Sequence, residues 1–149
     1  MIVALDAGPL GLLTSPKGSD VSRECTFWLE RLVDDDHLIV IPEIVDYELR
    51  REFLRGRMTR ALRSLDAYGH QFVLAPISTP VMRLAAECWA TARQRGMPTA
   101  DDSALDADMI LAAQAILLEE EWQQEVVIAT TNVRHLSRFT TARNWPEVG

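Results

Sequence analysis

Four short apolar runs, separated by helix-length segments, constrain this chain more than any other feature. They are Ile2–Leu5, Leu38–Ile41, Phe72–Ala75 and Val126–Ala129. Each is too short for a helix, rich in β-branched residues and continuous rather than alternating, as expected of strands buried on both faces. Helical patterns lie between them. The segment Asp20 to Asp34 carries Cys25, Phe27, Trp28, Leu29, Leu32 and Val33 at helical spacing. A second helix is predicted from Pro42, a good first-turn residue, to a break near Gly56. A third runs on to Gly69, and a fourth from Thr79–Pro80 to Gly96. A fifth begins at TADDSALDADMILAAQAILLEEE, where Thr99 and Asp102 have the spacing of a capping box.

Strands alternating with helices predict an α/β chain. The expected form is a three-layer α/β/α sandwich around a central, mostly parallel sheet of four to five strands. Ligands of such sheets bind beyond the carboxyl ends of the strands. The 149 residues suit one domain spanning 1–149, with no internal repeat or linker.

Composition narrows the function classes. The opening MIVALDAGPLGLL is apolar, but Asp6 interrupts it and no basic residue precedes it. It is too short for a membrane span and wrongly flanked for a signal peptide, so a cytoplasmic chain without membrane contact is expected. Cys25 and Cys88 belong to no metal-ligand spacing and read as reduced core residues. A net charge of −7 argues against a protein that merely coats nucleic acid. It does not argue against a nuclease, whose carboxylates repel phosphate until a cation neutralises them. Positive charge gathers in Arg50, Arg51, Arg55, Arg57, Arg60 and Arg63, either a solvated helical face or a phosphate-binding one.

The carboxylates divide by position. Asp6 directly follows the first strand, at its carboxyl end, with the turn-forming Ala7-Gly8-Pro9 after it. Glu48 has Ile41, Ile44 and Val45 at helical spacings before it and lies on an apolar stripe. Glu43 sits in a first turn, where the helix dipole accounts for an acid. Asp108 has Ala104, Leu105, Leu111 and Ala112 one turn either side, so it sits within a buried face. An unpaired buried charge is expensive, and such a carboxylate has a partner or serves a site. Asp101 lies on roughly the same side of that helix; with Asp102 and Asp106 it is a candidate auxiliary acid. The last strand ends in Thr130, Thr131 and Asn132, short polar groups suited to orient a ligand or carboxylate, or to cap the helix that follows. Carboxylates from three separated elements meeting at one sheet end would repel unless a cation joined them. Oxygen-only ligands select magnesium or manganese, ions that promote phosphodiester cleavage.

Taken together these segments resemble the PIN-domain ribonucleases, which include the VapC-type toxins of toxin–antitoxin pairs. The resemblance covers nearly the whole chain. LDAGPL matches the first-strand aspartate motif with Asp6, and IPEIVDYELRRE places Glu48 at the helix-borne glutamate. DADMILAAQA matches Asp-x-x-Ile-x-Ala-Ala with Asp108 as third acid, and TTNVRHLSRF matches the segment after the last strand with Thr130 and Asn132. Asn132 stands where many members carry aspartate, and His135-Leu136 where Asp-Phe is frequent. The resemblance implies an Mg2+- or Mn2+-dependent endoribonuclease with Asp6, Glu48 and Asp108 holding metal. Thr130 and Asn132 would orient water or complete the cluster, and Arg50 and Arg51 would contact RNA phosphates. It also implies a protein antitoxin and a homodimer, the latter in keeping with Phe27, Trp28, Trp89 and Trp145 in so small a chain.

Two other readings compete. Phosphotransfer enzymes and receiver domains also gather aspartates at strand ends, but they use a lysine near a later strand. The sole lysine here, Lys17, comes too early, and Asp6-Ala7-Gly8 is not the Asp-x-Asp of dehalogenase-type hydrolases. A non-catalytic interaction or RNA-binding module of the same fold is separated from the enzyme by metal-dependent RNA cleavage.

Overall fold

Burial decides which apolar runs become strands, and parallel pairing gathers them into one sheet. In the computed structural model, which describes residues 1–96 and 102–149 (the side chains of 102–104 excepted), the strands are β1 (Ile2–Leu5), β2 (Leu38–Pro42), β3 (Val73–Ala75), β4 (Val126–Thr130) and β5 (Ala142–Asn144). Their order across the sheet is β3-β2-β1-β4-β5, and every neighbouring pair is parallel. β1 and β4 are buried throughout, because they occupy the middle of the sheet with helices on both faces. β3 departs from the expectation of a strand buried on both faces. It is an edge strand, and Val73 and Leu74 are exposed.

The helices are α1 (Ala7–Thr14), α2 (Asp20–Asp34), α3 (Glu43–Arg55), α4 (Thr59–Gln71), α5 (Thr79–Gln94), α6 (Asp102–Trp122) and α7 (Val133–Leu136). Right-handed crossovers put α1 to α4 on one face and α5 to α7 on the other. Packing agrees: α1 lies against α2, α3 and α4, while α6 lies against α5 and α7. The main core lies between the sheet and these helices. A smaller one, built from Val81, Ala85, Cys88, Leu105, Met109 and Ala113, joins α5 to α6. The proposed Thr99 cap of α6 lies outside the described residues.

α1 corrects the turn expected at Ala7-Gly8-Pro9. These residues open a helix, with Pro9 in the first turn where its missing N–H costs nothing. Gly8 is required there by a close approach. A Cβ at this position would stand 2.6 Å from Thr131 Oγ1 and 2.9 Å from its Cγ2. Gly8→Ala is therefore expected to lower stability by about 1–3 kcal/mol, the usual cost of overpacking. The double variant with Thr131→Ala should recover most of that loss in thermal melts. A double variant no more stable than Gly8→Ala alone would show that the contact does not limit this position.

Two polar side chains tie the layers together. Gln114, buried on α6, donates from Nε2 to the carbonyls of Ala75 (2.7 Å) and Pro76 (3.2 Å) and accepts from Ile44 N–H (3.4 Å). Glu43, expected as an acid favoured by the helix dipole, also accepts from the Ile77 N–H at 2.5 Å. Both side chains hold the start of α3 against the end of β3. The cysteines are buried as expected, and burial pushes the Cys25 thiol up to about 12. Among the described residues no helix is long and apolar enough to cross a membrane.

Candidate active site

The strand order reverses direction between β1 and β4: the chain leaves β1 toward β2 and later returns past it to β4. The connections that leave their carboxyl ends therefore run to opposite faces of the sheet, and ligands of such sheets usually bind at that point. Asp6 follows β1 there, and Thr130 ends β4. The Thr130 hydroxyl donates to Asp6 Oδ2 at 2.6 Å, and Asp6 Oδ1 accepts from the Ala7 N–H at 2.7 Å, capping α1. Thr130 is fully buried and its Oγ1 in turn accepts the Asn132 N–H at 2.9 Å.

The other two acids arrive because of where their helices begin. α3 starts at the carboxyl end of β2, so Glu48 lies in its second turn above the sheet. α6 runs back toward the start of β4, so Asp108 near its beginning also lies at the carboxyl ends. Glu48 and Asp108 are both half-buried. Asp108 Oδ2 lies 3.2 Å from His135 Nδ1, carried by α7.

Electrostatics show that these groups share one space. Burial raises the Asp6 carboxyl above its ordinary value, against the lowering effect of the Thr130 and Ala7 hydrogen bonds. Burial raises Glu48 as well, and the charges of Asp6 and Asp108 push it further while Arg51 opposes them. Asp108 is raised by burial and by Asp6, against the hydrogen bond and charge of His135. The set is thus three mutually repelling, desolvated carboxyls, a donor set that suits a hard divalent cation. Among the described residues no three Asp, Glu, His or Cys side chains already form a group able to hold an ion.

Not every candidate belongs to this cluster. Asp106 is exposed and lines a groove of about 360 Å³ between α5 and α6 with Met82, Trp89, Met109 and Ile110, so it faces away from the acids. Asp101 lies outside the described residues, and Asp102 is placed only as the start of α6. Asn132 is exposed and its side chain does not cap α7; its tie to the cluster is through its backbone. Arg50 is held by Asp46 (2.9 and 3.0 Å) and Asp66 (2.7 Å), bridging α3 to α4, so its fork is occupied by carboxylates. Arg51 instead lies 5.2 Å over the Tyr47 ring, on the exposed side of α3 and near Glu48. Trp28 and Trp145 are core residues in edge-to-face contact at 5.4 Å, with Trp28 donating to the Val148 carbonyl at 2.8 Å. Phe27 and Trp89 remain exposed.

The architecture is that of a PIN-like domain, and solved structures share it. A chain of VapBC2 from Rickettsia felis, bound to a DNA fragment from their promoter, superposes with a TM-score of 0.72 at 20% identity, over 97% of this chain and 99% of that one. A chain of VapBC-1 from nontypeable Haemophilus influenzae gives 0.71 at 16% identity, over 99% and 100%. A chain of FitAcB from Neisseria gonorrhoeae gives 0.69 at 20%, over 99% and 100%. No family model and no curated protein matches the sequence.

Proposed function

We propose that this chain is a divalent-cation-dependent endoribonuclease and the toxin of a toxin–antitoxin pair, working in the cytoplasm as a homodimer. One observation carries the reading: acids from three separate elements meet at the sheet's switch point closely enough that Asp6 and Asp108 both push the Glu48 carboxyl up. The fold it shares with chains of VapBC2, VapBC-1 and FitAcB supports it, as do the four motifs in order. Asp6, Glu48 and Asp108 would hold Mg2+ or Mn2+. When bound, such an ion supplies charge that screens the carboxylates and Lewis acidity toward a phosphodiester. Thr130 keeps Asp6 turned toward the shared space, and the exposed amide of Asn132 orients water at the rim. Arg51, free of the clamp that holds Arg50, takes an RNA phosphate. The paired components of the neighbouring structures support a protein antitoxin for this chain.

The direct test incubates the purified chain with single-stranded RNA in Mg2+, Mn2+ or chelator. Cleavage in the ions and none in chelator is expected. RNA binding with no cleavage under any ion would instead identify a non-catalytic module. The two arginines give a finer measurement, using RNA affinity across a salt series. Arg51→Ala should weaken binding and flatten the salt dependence by about 0.7, the share of one phosphate contact on a single strand. Arg50→Ala should leave that slope alone and lower stability by about 1 kcal/mol, since its half-exposed ion pairs are partly screened. Equal salt slopes in wild type and Arg51→Ala would remove Arg51 from the RNA path.

A further inference from the structure

We propose that His135 is a positioning residue of the acidic site, its Nδ1–H donating to Asp108 Oδ2 so that Oδ1 stays available to a cation. The inference rests on the cation-dependent reading above and assigns a role to a residue outside the three acids. The observed contact is 3.2 Å, between a half-buried carboxylate and a half-buried imidazole.

Asp108 needs such a partner. Its carboxylate is partly desolvated and lies near the like charge of Asp6, so without a donor it gains by rotating outward to water. His135 occupies a position fixed from the other side of the site. The Thr130 hydroxyl binds Asp6, and its oxygen holds the Asn132 N–H at the start of α7, the helix that carries His135. One short segment, 130–135, thus grips Asp6 with its first side chain and Asp108 with its last. The distance between two acids on different elements is set by a loop that supplies no carboxylate. In metal sites, hydrogen bonds to the ligating groups orient them, and losing one typically weakens metal affinity about 10–100-fold.

The donor atom makes the idea specific. A neutral imidazole carries its proton on whichever nitrogen the environment favours, and a carboxylate at Nδ1 demands the Nδ1–H form. An asparagine side chain places its amide nitrogen near the position of Nδ1, whereas glutamine reaches toward Nε2. The experiment titrates Mn2+ alone into wild type, His135→Ala, His135→Asn and His135→Gln by calorimetry at pH 8. Affinity is expected to fall about 10–100-fold in the alanine and glutamine variants and to return close to wild type in the asparagine variant. Long-range 1H–15N correlation spectra of the metal-free protein should show His135 protonated at Nδ1, reverting to Nε2 in Asp108→Ala. Wild-type Mn2+ affinity in His135→Ala, or an unprotonated Nδ1 in the wild type, would overturn the role of His135 and leave the nuclease reading standing. Absence of Mn2+ binding by the wild type itself would overturn both.

Discussion

Asp108→Asn is expected to reduce RNA cleavage to background and, in chelator at neutral pH, to raise the melting temperature. The two effects have one cause. Asp108 is raised by burial and by Asp6, and it also helps to raise Glu48, so its negative charge is unfavourable in the folded, metal-free chain. An amide of the same shape removes that charge. Relief of about 1 kcal/mol would shift the melting temperature by about 2–4 °C in a domain of this size.

The pH dependence follows from the direction of the shifts. Asp6, Glu48 and Asp108 all have folded-state values raised above their ordinary ones. The folded chain therefore holds these protons more tightly than the unfolded chain. The stability linked to them is present at low pH and is lost as pH rises through the raised values. The gap between Asp108→Asn and wild type should consequently be wide at pH 7 in chelator and close as pH falls toward the ordinary carboxyl range. Mg2+ or Mn2+ should narrow it from the other direction, by stabilising the wild type alone. A gap that stays constant across pH and cation would mean that Asp108 is not part of a repelling cluster.

Two of the three acids that the fold brings together stand out in the sequence because they break local rules. Asp108 directly before MILAAQ and Glu48 after Ile44 and Val45 are charges on apolar stripes, and periodicity alone exposes them. The strands were legible for the complementary reason, since central parallel strands are apolar on both faces. α1 was missed because AGPLGLLT is apolar nearly all round and carries Gly8 and Pro9, so it shows neither helical contrast nor helix-forming composition. β5 is three residues, ARN, with no apolar run; only its pairing with β4 makes it a strand. Arg50 was grouped with Arg51 because they are adjacent in sequence. The helix separates them, and Asp66, sixteen residues on, is brought to Arg50 by the packing of α4 on α3. His135 had a signal in its departure from the commoner Asp-Phe, but only the packing of α7 against α6 gives it Asp108 as a partner.

The second large effect is expected at Thr130. Valine has the same shape, so Thr130→Val leaves no cavity and deletes only the hydroxyl. Two groups then lose a partner: Asp6 Oδ2 loses its donor, and the Asn132 N–H loses its acceptor. Leaving partly buried polar groups unpaired costs about 1–3 kcal/mol, so the melting temperature should fall. The hydroxyl bond also lowers the Asp6 carboxyl against burial, so its loss lets that carboxyl rise further. Asp6 then competes less well for a cation, which must displace a more tightly held proton and find an untethered carboxylate. Mn2+ affinity is expected to drop about 10–100-fold, with Thr130→Ser close to wild type on both measures. Asn132→Ala separates the backbone from the side chain: it keeps the N–H that binds Thr130, so stability should hold and any loss belongs to the exposed amide. A Thr130→Val protein that melts lower but binds Mn2+ as tightly as wild type would make the hydroxyl a structural tie only. Asp6 would then be oriented by its Ala7 bond alone, and the loop 130–135 would have no grip on the first acid.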